Sequence, residues 1–210
     1  MMAERSIENR LREEYFDLLP DIRRVAENVE TEVRHCLLPI LRNLDDHEQV
    51  NVTRRIKACD SALDALSRRQ EGNAFDRDQP ELYTLTALND LAGIRVLAFP
   101  RSRLAEIDEI LRKRFPDWVS DPVPGIDETA EPLAFKYSGF CDASSKVRGE
   151  LQIVSMLIGL FWEIEHSAIY KPTPRLKRTV GSPRVQERVY DVYGALRSFE
   201  DIFETSVRGT

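Results

Sequence analysis

Along the first forty residues, apolar side chains return every three or four positions. Leu11, Tyr15, Leu18 and Leu19 begin a stripe that Ile22, Val25, Val29, Val33, Cys36 and Leu37 continue. This is the spacing of a helix with one buried face. It predicts helix from Ser6 to about Leu44. Pro20 is expected to break or kink the run into a pair of amphipathic helices, because its ring clashes with the preceding turn. From Asn51 to Lys57 the chain reads as extended. Arg55 and Lys57 flank a single apolar residue, which places both cations on one side. Ser61 to Arg69 returns to helical spacing, and 71–81, with Gly72, Asn73 and Pro80, reads as a loop.

Gly93 to Phe99 is the clearest buried strand, bounded by Gly93 and Pro100. Ser102 is placed to cap a helix from Arg103 to Phe115, with Leu104, Ile107, Ile110 and Leu111 facing inward. Trp118 and Val119 suggest a short strand, and the three prolines between Asp121 and Pro132 a loop. Leu133 to Cys141 alternates, with Phe135, Tyr137, Gly139 and Cys141 on one face. Gly149 to Ser155 alternates too, with Glu150, Gln152 and Val154 on one side and Leu151, Ile153 and Ser155 on the other. The short turn between these two strands predicts an antiparallel hairpin. Helical spacing then resumes through Met156, Leu157, Leu160, Phe161, Ile164 and Ala168. A last helix starts near Pro183 and runs to about Thr205 on Val185, Val189, Val192, Leu196, Phe199 and Phe203. The expected fold is α+β: a small mixed sheet of about five strands, flanked by helices, with long N- and C-terminal helices. One domain is expected over 1–210, with a helical part at 1–70, a core at 51–175 and a final helix at 182–206.

Composition narrows the function. A formal net charge of −6 over 210 residues does not suit a general nucleic-acid binder. No apolar run approaches the ~20 residues that span a bilayer, and Met1 to Arg5 lacks the apolar core of a signal peptide. A cytoplasmic location and no membrane partner are expected. Three cysteines (Cys36, Cys59, Cys141) without a Cys-x-x-Cys pair read as free thiols. The adjacent His35 and Cys36 read as a helix pair rather than a metal site.

The chemistry centres on Glu150. A carboxylate and an amide, Gln152, share one face of an otherwise apolar strand, and charge on a buried sheet is costly unless something uses it. Asp90 stands just before the other buried strand. In a sheet, Asp90 and Glu150 can converge on a divalent ion, and oxygen ligands completed by water and phosphates suit magnesium. With Arg55 for forked contacts and Lys57 as a point charge, these are the parts of a phosphoryl-transfer centre.

The order of these parts resembles the synthetase domain of the RelA/SpoT family. The resemblance runs from Arg55 to Lys171. It rests on Arg55-Ile56-Lys57 with Ser61, on Asp90-Leu91-Ala92-Gly93-Ile94-Arg95-Val96, on Tyr137 and on Glu150-Leu151-Gln152-Ile153. It closes on Trp162-Glu163-Ile164-Glu165-His166 with Tyr170-Lys171. It implies a small, nucleotidyltransferase-like synthetase without hydrolase or regulatory domains, which moves pyrophosphate from ATP to the 3′-hydroxyl of GTP or GDP. It further implies Mg2+ on Asp90 and Glu150, with Glu150 as base, and Arg55 and Lys57 on the ATP phosphates. Ser61, Arg95, Gln152, His166, Tyr170 and Lys171 are implied as further nucleotide-binding positions, and Tyr137 as a platform for the acceptor base. Toxic relatives that modify the tRNA 3′ end imply tRNA as an alternative acceptor, met here by Arg175, Lys177, Arg178, Arg184 and Arg188. A catalytically inactive nucleotide- or partner-binding relative is the third alternative. A homo-oligomer or an antitoxin is an open partner. The chain departs from the pattern at Ala65, Cys141 and Val154, where the family usually carries charge; Lys136, Lys146 and Arg148 are candidate replacements.

Overall fold

A computed structural model describes residues 2–71, 83–124, 132–165 and 183–208. The N-terminal stripe forms one helix, α1 (Met2–Cys36), with Pro20 inside it. The expected break at Pro20 does not occur. Ile22, Val25, Ala26, Val29 and Val33, all buried, continue the stripe of Leu11, Tyr15 and Leu18 in phase. Burying one uninterrupted face outweighs the single hydrogen bond that proline forfeits. A short helix, α2 (Leu38–Leu41), follows at Pro39.

Five strands form one mixed sheet: β1 (Gln49–Ile56), β2 (Ala92–Phe99), β3 (Val119–Ser120), β4 (Ala134–Phe140) and β5 (Arg148–Ser155). Their order across the sheet is β1-β2-β5-β4-β3. Strands β2 and β5 are parallel, and the other neighbours are antiparallel, including the expected β4–β5 hairpin. Helix α3 (Cys59–Glu71) follows β1, α4 (Arg103–Arg114) follows β2, α5 (Met156–Glu165) follows β5, and α6 (Pro183–Arg208) closes the described chain. No helix among the described residues is long and apolar enough to cross a membrane.

The alternation of each strand decides where the core lies. Val52, Ile94, Val96, Leu151 and Ile153 face one side, where α1 and α4 bury them. On the other side α5 and α6 cover one end only, closing a smaller core of Leu97, Ala134, Val154, Ile158, Val189 and Tyr193. The rest of that face stays open.

Polar contacts fix α6 in place. The Ser155 hydroxyl donates to buried Glu200 at 2.6 Å, and the Ser102 amide donates to Glu204 at 2.6 Å. Ser102 therefore does not cap α4 with its side chain: it adopts helical torsions, and its amide is bound by α6. Tyr193 also donates to Glu165 at the end of α5.

Candidate active site

Register lines the open face with chemistry. One row across four strands reads Arg55, Gly93, Glu150, Ser138; the next reads Thr53, Arg95, Gln152, Lys136. Arg55 and Glu150 stand two strands apart, roughly 10 Å at the usual strand spacing. Gly93 lies between them and adds no side chain, which leaves the floor open. Arg54, one residue from Arg55, points the other way and pairs with Glu27 at 3.0 Å and Glu30 at 3.4 Å on α1. This alternation makes Arg55 a cleft cation and Arg54 a structural one.

Beyond β1, the Lys57 amide donates to the Leu91 carbonyl at 3.0 Å, which extends the pairing with β2 by one residue. The Lys57 ammonium, 10% exposed, bonds Asp90 through Oδ2. The segment ahead of Asp90 is pinned from α1. Glu14 accepts from Thr84 and, at 3.0 Å, from the Leu85 amide, and Arg10 donates to the Tyr83 carbonyl at 2.6 Å. Asp90 is thereby placed at the edge of the sheet face that carries Glu150.

Glu150, with a 12% exposed side chain, accepts from the Gln152 amide at 2.8 Å and lies 3.5 Å from Lys136 Nζ. Gln152 in turn accepts from Arg95 Nε at 3.1 Å, and Arg95 reaches Glu163 on α5 at 3.3 Å. Burial pushes the Glu150 carboxyl above its ordinary value and the nearby Asp90 charge adds to this, while Lys136 and the Gln152 bond oppose it. Burial disfavours the charge of Lys136, but Glu150 and Asp121 together outweigh it, so its ammonium is held more firmly than usual. Arg95 is shifted down, first by burial.

These residues line a cleft of about 650 Å³. Its cations are Arg55, Lys57, Arg68, Arg95 and Lys136; its acids are Asp90, Glu150, Glu163 and Glu165; Gln152 and Trp162 complete it. The donor set fits a magnesium ion: two carboxylates near enough to perturb each other, in a cleft with room for water and phosphate oxygens. Asp90 commits Oδ2 to Lys57, and among the described residues Oδ1 has no hydrogen-bond partner.

Of the residues singled out from sequence, the cleft unites Asp90, Glu150, Arg55, Lys57, Arg95 and Gln152. Ser61, in the first turns of α3, is not among its lining residues. His166, Tyr170, Lys171, Arg175, Lys177 and Arg178 lie outside the described residues. Tyr137 requires a correction. It is buried on the α4 side of the sheet, where its hydroxyl donates to buried Asp108, so it cannot stack on a nucleotide in the cleft. Its face of β4 is the apolar one, and a phenol with a buried carboxylate partner is a core group. The aromatic on the opposite face is Phe140, 50% exposed, with the Arg148 guanidinium 5.2 Å from its ring centroid. Phe140 borders a different cavity, with Trp118 and Asp142, and does not line this cleft.

The departures at Ala65, Cys141 and Val154 also find places. Ala65 packs against the main core, Cys141 borders a separate cavity near α1, and Val154 is buried in the smaller core. The cleft draws cations from elsewhere. Arg68 shares a helix face with Ser61 and Ala65 one turn on, and Lys136 stands beside Glu150.

No protein-family model matches the sequence, and no curated protein sequence matches it. Solved structures do match. Small alarmone synthetase 1 from Bacillus subtilis, bound to its product pppGpp, superposes with a TM-score of 0.68 at 19% identity, over 94% of this chain and 97% of that one. The same enzyme bound to AMPCPP gives 0.64 at 18% identity, over 93% and 97%. A GTP pyrophosphokinase family protein from Streptococcus pneumoniae gives 0.66 at 17% identity, over 91% and 92%. The likeness is one of fold, and it extends over nearly the whole chain: the helix-flanked mixed sheet described above is built as in the small alarmone synthetases.

Proposed function

We propose that the chain is a pyrophosphokinase that transfers the β,γ-diphosphate of ATP to the 3′-hydroxyl of GTP or GDP. The observation that carries this reading is the convergence of Asp90 and Glu150, 60 positions apart in sequence, on one cleft with five cations. The fold supports it, since neighbours of the same fold hold pppGpp or AMPCPP.

In this reading Arg55, Lys57 and Arg68 hold the donor phosphates. Asp90 and Glu150 would hold Mg2+, which when bound supplies charge neutralisation at the phosphates. Glu150 takes the proton of the 3′-hydroxyl as its oxygen bonds to the β-phosphorus. The bond from that phosphorus to the bridging oxygen breaks, and AMP leaves with that oxygen. Burial raises the Glu150 pKa, which strengthens the carboxylate as a base. Gln152 fixes the carboxylate through one oxygen, and Lys136 balances its charge.

Incubation with Mg2+, ATP labelled in the β-phosphate and GDP, GTP or bulk tRNA tests the acceptor. Label in a guanosine nucleotide together with AMP is the expected result. Label in tRNA would move the acceptor to RNA. No transfer with any acceptor, alongside nucleotide-dependent thermal stabilisation, would leave a binding protein of this fold.

A further inference from the structure

The last turn of α1 carries a second cluster that the cleft chemistry does not use. Glu32, His35 and Cys36 are spaced i, i+3 and i+4, so they share one face of the helix. One ligand atom from each lies within 4.8 Å of the other two. In a tetrahedral zinc site, with metal bonds of about 2.0–2.3 Å, ligand atoms stand roughly 3.5 Å apart. Rotamer adjustment of an exposed histidine and two half-buried neighbours covers that difference. We propose that this turn binds a thiophilic divalent cation of the zinc class through Glu32, His35 and Cys36.

Four observations support the assignment. Arg114 grips Glu32 through Oε2 alone, with Nε at 2.9 Å and Nη2 at 2.8 Å. That fixes the carboxylate while leaving Oε1 for a metal, the arrangement by which outer-shell partners orient ligands. The donor set of thiolate, imidazole and carboxylate is the borderline-soft set that selects zinc over magnesium. The turn is also the negative end of a 35-residue helix, and Pro39 has no N–H to offer the His35 carbonyl. A cavity of about 650 Å³, bordered by Arg114 and Cys141, opens beside Glu32. The other mixed cluster, Asp45, His47 and Glu48, lacks this freedom. Both Glu48 oxygens are committed to Arg103, at 2.8 and 2.6 Å.

The test is titration of the full, reduced chain with Co2+, followed by thiolate-to-cobalt charge-transfer absorption and by displacement with Zn2+. One Co2+ per chain is expected, with the band lost in C36S and retained in C59S and C141S. His35 is exposed, so H35A keeps the fold; it should weaken Co2+ at least ~10-fold. Absence of a thiolate band, a band that survives C36S, or an affinity unchanged in H35A would each overturn the assignment.

Discussion

At the scale of single residues, Glu150 is the group whose environment matters most. In the proposed reaction it must be ionised to accept a proton, and burial makes ionisation harder. Activity is therefore expected to fall as pH drops through a value above the ordinary carboxylate pKa of about 4.3. Lys136 pulls that value down. In K136M the acid limb of kcat/KM should move to higher pH; a limb that stays in place would separate Lys136 from Glu150 electrostatically. Much at this scale was legible in sequence. Alternation alone put Glu150 with Gln152 and Arg55 with Lys57, and the structure brings all four to one cleft. Tyr137 was not legible in the same way. Alternation grouped it correctly with Phe135, Gly139 and Cys141, but period two does not say which face a helix will cover. Here α4 covers that face, and Asp108 gives the phenol a buried partner.

At the scale of elements, two glycines stand in opposite surroundings. An added Cβ at Gly139 would lie 2.4 Å from Trp118 Cδ1 and 2.6 Å from Cγ, rigid ring atoms that cannot swing aside. Trp118 is itself fixed by its indole N–H on the Phe140 carbonyl at 3.1 Å. G139A should cost about 1–3 kcal/mol in urea unfolding, the scale of overpacking. Gly194, within α6, has nothing within 4 Å of an added Cβ. G194A should stabilise by about 0.5–1 kcal/mol through helix propensity. A destabilised G194A would show that α6 packs there against something beyond the chain. The element pattern was readable because periodicity and phase are local. Pro20 misleads locally, and only the buried stripe on both sides of it shows why α1 continues. The Ser102 cap fails for a tertiary reason as well, since α6 arrives from a hundred residues away to take its amide.

At the scale of the whole molecule, α5 walls one end of the cleft, α6 packs against α5, and buried Glu200 is the joint that holds α6 to the sheet. Burial raises its pKa, and the Ser155 bond opposes this. The folded chain thus binds that proton more tightly than the unfolded chain does. Stability from this site is therefore highest below the ordinary carboxylate pKa and is lost as pH rises through the raised one. E200Q keeps an acceptor for Ser155 and does not titrate. Its gain over wild type in thermal unfolding should be larger near pH 8 than near pH 4; an equal gain at both would remove Glu200 from the pH dependence. This joint could not be read from sequence, because the other acids of the helix are exposed or half-buried, and only the assembled fold buries Glu200. Whether Asp90 and Glu150 serve one pyrophosphate-transfer centre is decided by AMP release from ATP labelled in its adenosine, with Mg2+ and a guanosine nucleotide, comparing wild type with E150Q and D90N. Turnover is expected in wild type, with at least ~100-fold loss in each variant and melting temperatures kept. Wild-type turnover that persists in E150Q would contradict that shared role.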